Sequence, residues 1–163
     1  MDVFAALETA GIEPFVTLYH WDLPQSLANK GGWLNETIVE AFKLYADVCF
    51  QHFPKVKLWL TFNEPLTFTN LGYLYGIHAP GRCSDRSVCD EGDSSTEPYI
   101  AAHNVLLSHA SAVALYRQKY EKEQKGKIGI TLNCDWAEPY LNTDRDAAER
   151  YLEFQVLFYF IIF

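Results

Sequence analysis

An α/β fold built from successive strand–helix units is the architecture this sequence predicts, on three observations. Short apolar runs alternate with longer stretches whose apolar residues recur at helical spacing. The connection between the first two apolar runs is long enough to cross over between parallel strands. Polar side chains gather at the C-terminal end of each run, where α/β proteins keep their chemistry. Three strands cannot close a barrel, which typically takes about 250 residues. At this level an α/β barrel and an open doubly wound sheet both fit.

Asp2 to Ala10 reads as the end of a helix with Phe4 and Leu7 on one side, closed by Gly11. Phe15 to Tyr19, inside the segment Ile12–Tyr19, is a short and mostly apolar strand. Pro24 ends it, and a loop continues through Gly31-Gly32-Trp33. Asn35 is a plausible N-cap for a second helix, in which Ile38, Ala41, Phe42, Tyr45, Val48 and Cys49 recur at helical spacing until Pro54. Val56 to Phe62 is the next strand, and Leu66 to Tyr75 is a helix or an irregular segment. Gly76 to Ser95 is loop by composition. Glu97 to Tyr120 is the longest helical pattern, with Thr96 as its cap and Ala101, Val105, Ala112 and Tyr116 on its apolar side. Lys127 to Leu132 is a third strand, with Asn133, Asp135, Trp136 and Glu138-Pro139 at its end, and Asp144 to Gln155 is helical.

The composition is that of one globular domain: 163 residues, 49% apolar and 21% charged. Its wealth of aromatic residues suits a core and also a pocket for ring-shaped ligands. A net charge of -8 argues against nucleic acid or an anionic membrane as partner, since both need a basic surface. The apolar run Val156–Phe163 is too short to span a bilayer, so no membrane insertion is expected. No signal peptide is visible at the start. Cys83 and Cys89 bracket a polar loop and could close a small disulfide ring, which would imply an oxidising compartment. Cys49 and Cys134 read as buried thiols. Asn35-Glu36-Thr37 meets the pattern for N-glycosylation at Asn35. Together these hints favour a secretory, extracellular or lysosome-like location over the cytoplasm.

Two constellations carry chemistry. Leu58–Phe62 runs directly into Asn63-Glu64-Pro65, placing a carboxyl group at a strand end. Desolvation in a pocket is how such groups become general acids at neutral pH, and Asn63 beside it suits a substrate hydroxyl. Equally, a glutamate there caps the following helix or lies on the surface. His20-Trp21-Asp22 ends the previous strand. A histidine, an indole and a carboxylate at one mouth suit a polyhydroxylated ring, while the plainer reading has Asp22 capping a turn. No metal signature, phosphate loop, dinucleotide fingerprint or GxSxG elbow occurs, so neither metal nor cofactor is expected.

The motifs taken together resemble glycoside hydrolase family 1, the group of the plant β-glucosidases and the animal lactases. The resemblance covers roughly Asp2 to Gln155 and keeps the family's order. It is carried by Pro14–Pro24 (PFVTLYHWDLP), Gly31-Gly32-Trp33, Thr61–Pro65 (TFNEP), Gly72-Tyr73 with Gly76, and His78-Ala79-Pro80-Gly81. Glu97-Pro98-Tyr99, Ala102-His103-Asn104, His109-Ala110, and Trp136 with Glu138-Pro139 complete it. It implies a (β/α)8 barrel, of which this chain supplies about the third to fifth strands with their helices. It implies a retaining β-glucosidase acting on small β-glucosides. Glu64 would be the general acid/base, Asn63 would hold the hydroxyl next to the reacting carbon, His20 would bind the non-reducing sugar, and Trp21 would shape the floor of that pocket. The loop of Cys83 and Cys89 resembles the cysteine-closed loop of many plant members, which implies their disulfide.

A retaining glycosidase needs two carboxyl groups about 5 Å apart. The family's nucleophile lies in a TENG-type motif at the seventh strand, and no such motif occurs here. Glu97 and Glu138 do not fall where it does. After Gln155 the family continues through Gly-Trp-Phe, whereas this chain reads Leu157–Phe163, so residues 1–163 are expected to be a partial catalytic domain diverging after 155. Such a piece is expected to fold poorly and to be inactive by itself. Leu66, where tryptophan is common, departs from the pattern on the leaving-group side. The competing expectation is a non-catalytic, klotho-like barrel that binds saccharide without cleaving it.

Overall fold

The computed structural model describes residues 3–133. The chain divides into two compact units, Met1–Thr131 and Leu132–Phe163. Cys134, Trp136, Glu138-Pro139, the helix expected over Asp144–Gln155 and the apolar run Val156–Phe163 lie outside the described residues.

The first unit is a parallel sheet with its crossover helices. Its strands are β1 (Phe15–Tyr19), β2 (Leu58–Asn63) and β3 (Lys127–Thr131), hydrogen-bonded in the order β1-β2-β3. Phe15 pairs with Leu58 and Tyr19 with Phe62; Leu58 pairs with Lys127 and Leu60 with Gly129. Neighbouring strands that are consecutive in sequence and parallel are the pattern of a barrel wall. The helices are α1 (Val3–Thr9), α2 (Gln25–Ala28), α3 (Ile38–His52), α4 (Pro65–Tyr73), α5 (Glu97–Lys119) and α6 (Glu121–Gln124).

The buried side of α3 is an i, i+4 row of Ile38, Phe42, Ala46 and Phe50. The sequence periodicity includes Ile38 and Phe42 but continues through Tyr45 and Val48; those two are exposed, because the bulkier Phe50 and the small Ala46 fit against the sheet and α5. Phe50 lies edge-on to Trp59 of β2 at 5.0 Å and to Tyr116 of α5 at 5.0 Å. Cys49, expected to be buried, is half-buried beside this row. α3 also starts later than expected. Asn35 instead forms a turn, its Oδ1 accepting from the Thr37 amide at 3.0 Å and hydroxyl at 2.9 Å. The loop expected through Trp33 contains α2 and a 3₁₀ turn over Gly32–Leu34. Thr96 stands at the N-cap of α5 without a side-chain capping bond.

A second aromatic cluster lies toward the C-terminal ends of β1 and β2. Phe42 stacks on Phe62 at 4.5 Å, and Trp33 meets Tyr19 at 5.1 Å and Phe62 at 5.4 Å. The N-terminal ends are closed by the buried amide of Gln124, which donates to the Phe50 carbonyl at 2.8 Å and accepts from the Trp59 indole at 3.4 Å. Gly126 is required beside it, since a Cβ there would sit 2.4 Å from both the Lys57 carbonyl and the Tyr116 hydroxyl. One end of the sheet is thus sealed by packing, and polar residues are left to the other.

Candidate active site

The strand ends at the open side bring together four of the residues singled out in the sequence. Beyond Tyr19 the chain turns sharply. The Asp22 carboxylate accepts the His20 amide at 3.2 Å, so Asp22 takes the turn-capping role. Trp21 adopts a left-handed backbone with φ 75°, which is rare for a bulky side chain. That conformation brings its indole Nε1 to donate to the Asn63 carbonyl at 2.8 Å. The end of β1 is therefore tied to the end of β2 at the residue before Glu64.

Glu64 is also left-handed, with φ 47°, and occupies the N-cap position of α4, where Pro65 supplies the first helical residue. Its backbone is held on both sides. The Glu64 amide donates to the Thr131 carbonyl of β3 at 2.9 Å, and the Glu64 carbonyl accepts from the Thr67 amide at 3.0 Å. The half-buried carboxylate receives the Thr67 hydroxyl on Oε2 at 3.1 Å. A carboxyl group fixed in this way, at the mouth of the sheet, can give or take a proton at a fixed point.

His20 is exposed, its ring 5.8 Å from that of Trp21. Trp21 also meets the ring of His78 at 5.6 Å. The sequence reading leaves His78 in a loop and assigns Thr67 nothing. The signals that could have found them are the HAPG motif itself and a hydroxyl three residues after a strand-end glutamate. A cleft of about 900 Å³ opens beside Trp21, Trp33, Tyr73, His78 and Arg82. Glu64, Asn63 and His20 do not line it; of its lining residues, Trp21 donates its indole N–H to the Asn63 carbonyl and Phe68 its amide to the Glu64 carbonyl at 3.3 Å. Burial pushes the Tyr19 phenol up to about 12, against the lowering effect of the Trp33 indole that donates to it at 3.1 Å.

The loop carrying His78 is built rigidly. Cys83 and Cys89 are joined, with a Cα–Cα distance of 5.6 Å, and both are buried. Gly76 packs against the sulfurs, where a Cβ would meet Cys89 Sγ at 2.0 Å. Arg82 grips Glu97 through two bonds, Nε to Oε2 at 2.9 Å and Nη2 to Oε1 at 2.7 Å, and pairs with Glu91 at 2.8 Å. The hydrogen bonds and charge of Arg82 hold the Glu97 carboxyl below its usual range. Asn35 lies well away in sequence, its Nδ2 donating to the Lys30 carbonyl at 2.8 Å. Among the described residues no group of three or more His, Cys, Asp or Glu side chains could hold a metal ion. Nor, among them, is any helix long and apolar enough to cross a membrane.

Comparison with known proteins gives one consistent result. The family model described as glycosyl hydrolase family 1 matches residues 1–162. β-Glucosidase 25 of rice (Oryza sativa subsp. japonica) is 55% identical over 157 residues, which is 93% of this chain and 31% of that protein. A crystal structure of a rice β-glucosidase superposes with a TM-score of 0.91 at 48% identity, covering 95% of this chain and 34% of that one. A mutant of the same rice enzyme, in a covalent complex with glucose, matches with the same TM-score and identity. The chain thus spans about a third of the length of the relatives it matches, and its sheet is a part of their α/β barrel.

Proposed function

The chain belongs to glycosyl hydrolase family 1, and on that footing we propose that it forms part of a β-glucosidase that cleaves small β-glucosides with retention. The observation that carries this reading is Glu64, held at the C-terminal end of β2 directly after Asn63, whose carbonyl the Trp21 indole grips. Glu64 protonates the leaving oxygen as the bond to the sugar breaks, and its carboxylate then takes a proton from the water that releases the sugar. Asn63 holds the hydroxyl beside the reacting carbon. His20 binds the non-reducing sugar, and Trp21 forms the floor beneath it. The covalent glucose complex of the rice relative supports a glycosyl-enzyme route. The nucleophile of that route is a second carboxylate outside these residues. The disulfide ring of Cys83 and Cys89 and a glycan on Asn35 fit a secretory location.

The test uses the natural protein that contains this sequence and 4-nitrophenyl β-glucoside as substrate. Hydrolysis is expected with the β-anomer of glucose released first, seen by proton NMR, and Glu64→Gln is expected to lose about 10²–10⁴-fold in kcat/KM. Saccharide binding without hydrolysis in the unsubstituted protein overturns the enzymatic reading in favour of a binding barrel. α-Glucose as first product overturns retention.

A further inference from the structure

Between the pairs Leu60–Gly129 and Asn63–Thr131, β2 advances by one residue more than β3. On its other side β2 pairs with β1 in step, Thr17 with Leu60 and Tyr19 with Phe62. The extra residue is therefore a bulge on the β3 side alone. The two β2 residues within this interval, Thr61 and Phe62, are both fully buried. A bulge shifts every later side chain by one place in the in–out alternation. The residues that follow this one are Asn63 and Glu64.

A bulge interrupts the ladder, and here a side chain bridges the interruption. Thr61 Oγ1 donates to the Gly129 carbonyl of β3 at 3.2 Å and lies 2.8 Å from His109 Nδ1 of α5. A hydroxyl has one proton to give, so with that proton on Gly129 the second bond requires a hydrogen on His109 Nδ1. Burial lowers the pKa of His109, which favours the neutral ring; the hydroxyl geometry is what puts that ring's single hydrogen on Nδ1. The ladder resumes with the Glu64 amide on the Thr131 carbonyl at 2.9 Å. Thr61 and His109 touch none of His20, Trp21, Asn63 or Glu64 through these bonds; they fix the strand three residues upstream of the carboxylate.

Building on the acid/base reading of Glu64, we propose that Thr61 and His109 are positioning residues, holding the β2 bulge that aims Glu64 at the leaving oxygen. A general acid out of line is felt where the leaving group needs a proton and hardly where it does not. In the natural protein, Thr61→Val is expected to lower kcat/KM about tenfold for 4-methoxyphenyl β-glucoside and less than about twofold for 2,4-dinitrophenyl β-glucoside. Thr61→Ser, which keeps the hydroxyl, is expected to restore both to within about twofold of the unsubstituted protein. His109→Leu is expected to reproduce the valine pattern and serves if the valine variant does not fold. Equal losses on both substrates, or no loss, overturn the inference. So does nitrogen NMR of the unsubstituted protein showing the His109 hydrogen on Nε2 rather than Nδ1. Glu64→Gln is measured beside them. If it too lacks the leaving-group selectivity, the acid/base reading itself fails; if it alone shows it, only the positioning role fails.

Discussion

Trp21 and Glu64 share a backbone conformation that neither side chain favours, and one hydrogen bond connects their surroundings. A left-handed non-glycine residue costs of order 1–3 kcal/mol and persists only where its neighbours determine it. For Trp21 the compensation is visible: the indole bond to the Asn63 carbonyl, and ring contacts with His20 and His78. Trp21→Phe keeps an aromatic ring and removes the donor. It is expected to cost about 1 kcal/mol in urea unfolding and to raise KM for a β-glucoside more than it lowers kcat. A kcat loss with KM unchanged would contradict a floor for the sugar. At Asn35 the account expects a glycan, placed on a turn where Glu36 and Thr37 are exposed. Glycosidase treatment of the secreted protein should lower its mass, and Asn35→Gln should abolish the shift. No shift would remove this support for the secretory route.

At the scale of elements, stability and function separate by strand end. The row Ile38, Phe42, Ala46 and Phe50 fastens α3 to the sheet, and Phe50 is fully buried between Trp59 and Tyr116. Phe50→Ala is expected to cost about 3–5 kcal/mol, read from denaturant unfolding. The loop from Gly76 to Ser95 depends instead on its disulfide and on Arg82. Because the folded state lowers the Glu97 pKa, the contribution of the Arg82–Glu97 pair is fully present above about pH 4.3, the ordinary glutamate value, and fades as pH falls below it. Arg82→Met is expected to lose about 2 kcal/mol at pH 7 and to show a flatter acid limb. An unchanged acid limb would contradict that pairing. The strands and long helices were readable from runs of apolar residues and helical spacing. The face of α3 was not, because Tyr45 and Val48 match the period while Phe50 wins the space. The start of α3 is not legible in the sequence because Asn35 caps its own turn. The bulge in β2 could not be read at all. It exists only in register with β3, and Thr61 and His109 are 48 residues apart.

Across the whole molecule, the family match over residues 1–162 and a chain about a third as long as its relatives define the same object: one wall of a barrel. The sequence made Glu64 legible through its TFNEP motif, and the structure adds how the residue is held: its carboxylate by the Thr67 hydroxyl, its amide by the Thr131 carbonyl, and the carbonyl of Asn63 before it by the Trp21 indole. The account stands on Glu64 being the proton donor and base of a retaining reaction. The most direct test is azide added to the Glu64→Gln variant of the natural protein, with 2,4-dinitrophenyl β-glucoside as substrate. An anion that needs no general base can then enter where water no longer can. Turnover is expected to rise with azide, with β-glucosyl azide as the product. Turnover indifferent to azide, or an α-glucosyl azide product, would contradict it.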